Sequence, residues 1–231
     1  MLLLCLDTAT PQVGVAIGSD DQVIGRIQLA RPAHHAEHLA PAIAYLLEQL
    51  DLSLDQLSGI GVGIGPGLFT GLRVGVTTAK VMAQALRIPL IAVPSLDLLA
   101  FEVRYTDRLV VPALDAKRGE VFYSTYRQVP GGVQRLSDYE VGAPADVCNE
   151  LMAKGEEVLL IGDGALRYRE DFYQLERAEF GPPSLSYPSV SALVELTRAK
   201  FQREDFSQPR EVHPLYLRLS DAEMNWVKQA R

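Results

Sequence analysis

The sequence predicts an α/β protein whose two halves face each other across a cleft, and two observations support this prediction. Apolar strand patterns alternate with amphipathic helix patterns, which is typical of parallel strands covered by helices. The halves also share one plan, because the apolar run at 2–6 ends in Asp7 as the run at 109–114 ends in Asp115. We therefore expect one lobe over residues 1–106 and a second, duplicated lobe over residues 107–231.

The first half is predicted to hold a strand, a hairpin, a helix and then two strand–helix units. The continuous apolar run at 2–6 suits a strand that is covered on both faces. The polar stretch at 19–22 joins two alternating stretches and predicts a hairpin. A break at 31–33 precedes a helix with one apolar face. In order, the predicted elements are strands 2–6, 13–17 and 23–29, helix 35–50, strand 60–64, helix 70–86, strand 90–93 and helix 95–103.

The second half repeats this order after a basic turn at 116–119. Alternating residues predict a single strand from Glu120 to Arg127. The further predicted elements are strands 133–136 and 158–161 and helices 145–153 and 189–203. The last stretch, 213–226, carries four large apolar residues that we expect to dock, namely Leu215, Leu217, Leu219 and Trp226.

Composition narrows the classes of function. The chain is 48% hydrophobic and 22% charged, which is ordinary for a globular protein with a sizeable core. Its net charge of −7, without clusters of Lys and Arg, argues against a protein that binds nucleic acid without a partner. Cys5 and Cys148 are expected to be buried thiols in a reducing compartment. No apolar run is long enough for a membrane span or signal peptide, so we expect a cytoplasmic protein without a membrane partner.

The stretch 59–86 is the most distinctive part of the chain. An apolar strand leads through Gly65-Pro66-Gly67 into a helix for which Thr70 is the predicted N-cap. Such a turn either cradles a phosphate or is a sharp turn with a packing role, and the sequence leaves both open. Neither a P-loop nor the dinucleotide fingerprint is present. The helix carries small residues at spacings of three and four, which predicts close approach of another helix.

Two carboxylates mark the predicted cleft. Asp7 and Asp115 end the first strand of each half, and ligands of α/β sheets gather at such ends. The pair either holds a magnesium-nucleotide or caps nearby backbone N–H groups. The candidate nucleotide-binding residues are Asp7, Thr8, Thr10, Gly65, Gly67, Asp115, Gly162 and Gly164.

No motif predicts a metal centre or a catalytic nucleophile. His34, His35 and His38 form the only histidine cluster, and their spacing is not that of H-E-x-x-H. Ser95 and Ser189 lack a readable partner base. We therefore expect no metal and no catalytic residue.

Three motifs resemble the TsaB family, also called YeaZ. They are the stretch 7–10, the run 63–73 (GIGPGLFTGLR) and the run 114–121 (LDAKRGEV). Proteins of this family are accessory subunits of the bacterial machinery that makes threonylcarbamoyladenosine beside the tRNA anticodon. The resemblance implies a two-lobed actin-like, Hsp70-like fold of the ASKHA class, which is ribonuclease H-like and duplicated.

The resemblance also implies that the chain is a non-catalytic subunit. In the related catalytic subunit, TsaD, a helix with paired histidines holds the metal, after the strand that follows the Gly-Pro-Gly helix. The corresponding stretch here, 94–100, reads PSLDLLA and has no histidine. The implied partner is a TsaD-type transferase that this chain activates by heterodimerisation. A TsaE-type ATPase and tRNA held only through the complex are also implied. A separate hypothesis is a homodimer when the chain is alone, in which the partner face pairs with its own copy across a two-fold axis.

The predicted partner surface lies on helices 35–50 and 70–86. Its candidate residues are His35, His38, Leu39, Gly71, Gly75, Thr78, Ala79 and Met82. The alternative function is a nucleotide-binding ATPase or phosphotransferase that acts alone and uses the cleft carboxylates. For cofactors we expect none, or weak binding of ATP or ADP with magnesium.

Overall fold

The computed structural model describes residues 1–30 and 34–218. The predicted break at 31–33 and the predicted docking of Leu219 and Trp226 lie outside these residues.

The first half forms a mixed sheet with the strand order β3-β2-β1-β4-β5. On one side of β1, β2 pairs antiparallel to β1 and β3 pairs antiparallel to β2. On the other side, β4 pairs parallel to β1 and β5 pairs parallel to β4. The elements are β1 (Leu3–Asp7), β2 (Gln12–Gly18), β3 (Val23–Ala30), α1 (His35–Gln49), β4 (Gly59–Gly63), α2 (Phe69–Leu86), β5 (Leu90–Val93) and α3 (Ser95–Glu102).

The second half repeats this topology. Its main sheet runs β10-β7-β6-β11-β12, again with antiparallel strands on one side of the first strand and parallel strands on the other. The elements are β6 (Leu109–Lys117), β7 (Glu120–Tyr123), β8 (Tyr126–Val129), β9 (Gly132–Arg135), β10 (Glu140–Gly142), α4 (Pro144–Lys154), β11 (Val158–Ile161), α5 (Asp163–Arg167), β12 (Ala178–Phe180) and α6 (Val190–Gln202). The predicted duplicated α/β fold is confirmed.

Both faces of the first sheet are buried. Leu4 and Leu6 of β1 join the core beneath α1 and α2, whereas Leu3 and Cys5 join the core beneath α3 and α6. Alternate residues of a strand point to opposite faces, so a continuous apolar run is what such a strand requires.

Helix α6 belongs to the second half of the chain but packs on the first sheet. Four glycines of β2 and β4 leave room for it, and α6 fills that room at helical spacing. An added Cβ at Gly14, Gly18, Gly61 or Gly59 would meet Val190, Val194, Thr197 or Phe201, respectively. Because α6 lies so close to the sheet, a side chain larger than that of glycine does not fit at these four strand positions.

Helix α3 makes the reciprocal connection and lies between the two sheets. Leu98 and Phe101 pack into the core of the first half, and Leu96 and Leu99 pack into that of the second. A division at 106/107 therefore separates the two sheets but not the two hydrophobic cores. The second lobe over 107–231 is not self-contained, because α6 completes the first.

Several predicted boundaries were wrong. Helix α2 begins at Phe69 with Leu68 as its N-cap, so Thr70 is not the cap. Asp115 lies inside β6 because that strand continues to Lys117 in its hairpin with β7. The single strand predicted over 120–127 is divided between β7 and β8.

The segment 207–218 docks along both halves, and residues 213–218 are the described part of the stretch 213–226 that was predicted to dock. The Leu215 amide donates to the Ile64 carbonyl at 2.7 Å, and Leu217 packs into the core beside α3. Arg218 then reaches the second half, where it pairs with Glu120 at 2.7 Å.

Replacement of Gly61 by Ala tests the close contact between β4 and α6. The new Cβ would collide with Thr197 and lie 2.9 Å from the Cys5 Sγ atom, so we expect the free energy of unfolding to fall by about 2 kcal/mol. Gly132→Ala is the matched control, because its Cβ meets nothing nearer than Phe101 at 3.9 Å and should change stability by less than about 0.5 kcal/mol. Urea unfolding measures both, and equal stabilities would contradict the packing argument.

Candidate partner surface and interlobe cleft

Most predicted partner-surface residues lie inside the first lobe. His35, Leu39, Gly71, Gly75 and Ala79 are buried, and His38, Thr78 and Met82 are half-buried. The expectation that they form an open helix face was wrong. The small residues do permit close approach, but the neighbour is this chain's own segment 8–10 rather than another protein.

Segment 8–10 is held by the first turns of both helices. The Thr8 hydroxyl donates to the Gly71 carbonyl at 2.7 Å, and an added Cβ at Gly71 or Gly75 would collide with Thr8. The buried His35 Nε2 donates to the Thr10 carbonyl at 2.7 Å. These contacts explain the small residues and the buried histidine as internal packing.

The same helices expose a different apolar surface, which we call the outer helix surface. Tyr45 of α1 is 56% exposed and Val81 of α2 is 59% exposed. Ala40, Pro41, Ala44 and Ala85 are exposed beside them, and Val74 is half-buried. The candidate residues predicted from the sequence did not include these, because the small-residue face was assigned outward. The signal was present, since Val74, Val81 and Ala85 follow helical spacing along a stripe beside the one that carries the glycines.

The Gly-Pro-Gly turn also packs internally. Gly65 has φ +97°, which is left-handed backbone that favours glycine. A Cβ at Gly67 would collide with the Ala9 carbonyl, and that carbonyl accepts a 2.7 Å hydrogen bond from the Leu68 amide. Of the two interpretations of this turn, the structure supports packing, because the backbone of 8–10 lies against it.

Asp7 is 4% exposed at the base of the cleft. Its Oδ1 accepts a hydrogen bond from the Ala9 amide at 3.0 Å, and its Oδ2 accepts one from the Ser95 hydroxyl at 3.2 Å. The carboxylate lies so close to Gly63 that a side chain there would collide with it. Burial raises the pKa of Asp7 to about 6, against the opposing effect of these hydrogen bonds.

Asp115 repeats this geometry in the second half. Its Oδ1 accepts from the Lys117 amide at 2.8 Å, and its Oδ2 pairs with the Lys117 ammonium at 2.7 Å. Burial acts to raise the pKa of Asp115, but hydrogen bonds from Lys117 and its charge hold the pKa below its ordinary value. Both carboxylates thus cap an amide two residues later, as the capping alternative predicted.

Gly162 and Gly164 allow α5 to start against β6. Gly162 has φ +102°, and a Cβ on it would collide with the Ala113 carbonyl. The following Asp163 accepts a 3.0 Å hydrogen bond from the Asp115 amide, and burial raises the pKa of Asp163. The predicted nucleotide residues of the second half are therefore brought together, on the side of the cleft opposite segment 8–10.

Between the two sides the cleft is nearly filled. The cavity bounded by Ala9–Pro11, Gly67, Leu114, Asp115 and Asp163 encloses about 10 Å³, which is room for about one water molecule. At the mouth is a wider groove of about 370 Å³, which is lined by Phe69, Lys117, Arg118 and Tyr216 and also by Gly67 and Asp115. Asp115 therefore borders the open groove, whereas Asp7 is buried.

The stretch that corresponds to the metal helix of the catalytic relative has a structural role here. Asp97 of α3 accepts hydrogen bonds from the Tyr126 hydroxyl at 2.6 Å and the Tyr139 hydroxyl at 2.8 Å. This cluster was not predicted from the sequence, because tyrosines distant in sequence give no local pattern. Across residues 1–30 and 34–218, no three His, Cys, Asp or Glu side chains converge on a common metal position. No helix in this part of the chain has the length and hydrophobicity of a membrane span.

The pH dependence of stability tests the burial of Asp7. Because the folded chain raises the pKa of Asp7 from 3.8 to about 6, it retains a proton that the unfolded chain releases between those values. The free energy of unfolding should therefore fall as pH rises from about 4 to about 6, by up to about 1.4 kcal/mol per pH unit from this group.

The control is the Asp7→Asn variant, in which this contribution is absent. The difference in unfolding free energy between wild type and variant isolates Asp7, because groups common to both proteins cancel. Urea unfolding across the pH range measures it. A difference that is constant, or that grows in favour of wild type with rising pH, would contradict the assignment.

Comparisons with known proteins agree with this architecture. Residues 29–226 match the family model described as TsaD, tRNA N6-adenosine threonylcarbamoyltransferase. The chain is 31% identical to the tRNA threonylcarbamoyladenosine biosynthesis protein TsaB of Bacillus subtilis, across the whole of both chains. A crystal structure of a Pseudomonas aeruginosa protein, described by its similarity to peptidase YEAZ, superposes with a TM-score of 0.82 at 28% identity, covering 94% of this chain and 99% of that one.

A more distant structure shows the fold alone. The ethanolamine utilization protein EutJ of Carboxydothermus hydrogenoformans has a TM-score of 0.52 at 10% identity, over 84% of this chain and 89% of that one. The fold is the two-lobed actin-like fold expected from the sequence. The chain belongs to the TsaB (YeaZ) family of the tRNA threonylcarbamoyladenosine biosynthesis pathway.

Proposed function

We propose that this chain is a non-catalytic subunit that forms a heterodimer with a TsaD-type transferase and stabilises its active conformation. The contact is made by the outer helix surface of α1 and α2. The single observation that carries the proposal is the exposure of Tyr45 and Val81 on two adjacent helices whose inner faces are fully used within the lobe. Exposed apolar side chains clustered on one surface mark a protein interface.

The composition of this surface supports a helix partner. Ala40, Ala44 and Ala85 are small, so a facing helix can approach closely between the larger Tyr45 and Val81. Aromatic residues contribute much of the binding energy in many interfaces, so we expect Tyr45 to lie at the centre of this one. This chain matches the TsaD family model and is similar to TsaB. A TsaD-type partner would therefore have a similar fold, which supports an assembly of two similar subunits.

The packed cleft supports a role without chemistry of its own. Asp7 is enclosed by Gly63 and Ser95, and Asp115 is neutralised by Lys117. Carboxylates that are saturated by their own chain are poorly placed to hold a magnesium-nucleotide. On this proposal the partner supplies the catalytic residues.

The wider assembly follows from the same proposal. A TsaE-type ATPase joins the heterodimer, tRNA is bound through the complex, and the assembly works in the cytoplasm. In the absence of its partner the outer helix surface pairs with a second copy, because an isologous contact covers the same apolar residues.

Introduction of a negative charge on the outer helix surface tests the heterodimer. Val81→Glu and Tyr45→Glu each place an unpaired charge in the proposed contact, and we expect each to weaken binding to the cognate TsaD by at least about tenfold. Calorimetry or pulldown with the purified partner measures this. Tyr173→Glu is the matched control, because Tyr173 is 67% exposed on the second half and should leave binding unchanged.

A measurement of folding distinguishes loss of the interface from a folding defect. Circular dichroism should show native unfolding profiles for all three variants, since each replaced residue is exposed. Substitution at Gly75 is unsuitable, because a side chain there would collide with Thr8. Undiminished binding by both Val81→Glu and Tyr45→Glu would refute the proposed surface.

A nucleotide-dependent ATPase or phosphotransferase is the alternative function. With about 10 Å³ in the deep cleft, we expect the isolated chain to bind magnesium-ATP more weakly than about 1 mM and to show no turnover. Calorimetry on wild type and Asp115→Ala checks this. Micromolar binding that is lost in the variant, together with ATP hydrolysis, would favour the alternative.

A further inference from the structure

A polar pocket lies where the β2–β3 hairpin meets the loop 183–189. It encloses about 330 Å³, and every lining residue except Pro183 has a polar side chain. It shares no lining residue with the interlobe cleft or the outer helix surface. Because its walls come from both halves of the chain, a ligand here would bridge them.

Glu102 forms the floor of this pocket at the end of α3. Its Oε2 atom is buried and has no hydrogen-bond partner among the described residues. Burial raises the pKa of Glu102 to about 7, although hydrogen bonds from Ser189 and the charges of Arg26 and Arg104 act against this. A buried carboxylate oxygen without a donor is costly, so a cationic group bound in the pocket beside the Glu102 carboxylate would offset part of that cost.

Arg26 lines the same pocket from β3. Its Nη1 atom donates to the Ser191 hydroxyl at 2.8 Å, which uses one of the five N–H donors of a guanidinium. Within the described residues, no ion pair joins Arg26 to Glu102. One pocket therefore presents a cation and an acid that do not neutralise each other by direct contact.

We propose that this pocket binds a small zwitterion of the α-amino-acid class, with its carboxylate on Arg26 and its ammonium on Glu102. The two opposite charges of such a ligand match the two charged groups of the pocket. Gln12 and Gln28, joined by a 3.2 Å hydrogen bond, and Tyr187 provide further polar contacts for the ligand's side chain. This site is additional to the proposed partner role and does not depend on it.

The pH response follows from the groups that face Glu102. These are Arg26 on β3, Arg104 after α3, Ser189 before α6, and Glu195 of α6, which is paired with Arg104 at 3.1 Å. An ammonium group binds the ionised form of Glu102. Affinity should therefore rise about tenfold between about pH 6 and about pH 8, as Glu102 ionises.

The test is isothermal titration calorimetry of the full chain with the common L-amino acids. At least one should bind with a dissociation constant of about 1 mM or tighter at about pH 8. The two matched probes for that amino acid are its decarboxylated amine and its deaminated acid. Each lacks one charge and should bind at least about tenfold more weakly than the zwitterion.

Variants then assign the contacts. Arg26→Gln and Glu102→Gln should each weaken binding by about tenfold or more, and Glu102→Gln should also abolish the pH dependence. Arg203→Gln is the control, because Arg203 is exposed at the far end of α6. Arg26 is also exposed, so its replacement keeps the test valid if Glu102→Gln proves unstable by circular dichroism.

Three results would overturn the proposal. They are no binding by any amino acid at about 10 mM, equal binding of zwitterion and single-charge probes, and equal affinity of Arg26→Gln and Arg203→Gln. None of them bears on the heterodimer, which is measured with separate variants.

Discussion

Close packing of side chains and backbone against glycine is the constraint on which the rest of this structure depends. Segment 8–10 lies against Gly67, Gly71 and Gly75, and Asp7 lies against Gly63. Any side chain at these positions would push the segment into the cleft or away from α2. On the opposite face of the sheet, glycines of β2 and β4 leave room for α6 in the same way. The first lobe is therefore tight on both faces because its strands and helices carry glycine where they meet.

This packing has two consequences for function. On the cleft side, the packing leaves little space in the deep cleft, and Asp7 and Asp115 accept hydrogen bonds from backbone amides of their own chain. On the other side it buries the inner faces of α1 and α2 and leaves Tyr45 and Val81 exposed on their outer faces. These two consequences, buried carboxylates and exposed apolar helix residues, are the basis of the proposed role as a partner-binding subunit.

Much of the architecture was predictable from the sequence, because strand and helix periodicity and the repeated apolar run ending in Asp are local signals. The capping role of both carboxylates was also within reach, since the amides they hold are two residues away. The exchange of α3 and α6 between the halves was not predicted. Helices with apolar faces do not reveal which sheet they cover, and a boundary at 106/107 lies between the two sheets but crosses the hydrophobic cores.

The chain's sequence by itself determined the fold class, the duplication and the family. It also determined that something must approach α2 closely, because a run of small residues at helical spacing permits little else. Only the tertiary structure decided that the neighbour is Thr8 and not a partner protein. It likewise placed Arg26 and Glu102, 76 positions apart in the sequence, in one pocket. The physical reason is that close approach and charge pairing depend on distance in space, and periodicity reports only which residues share a face.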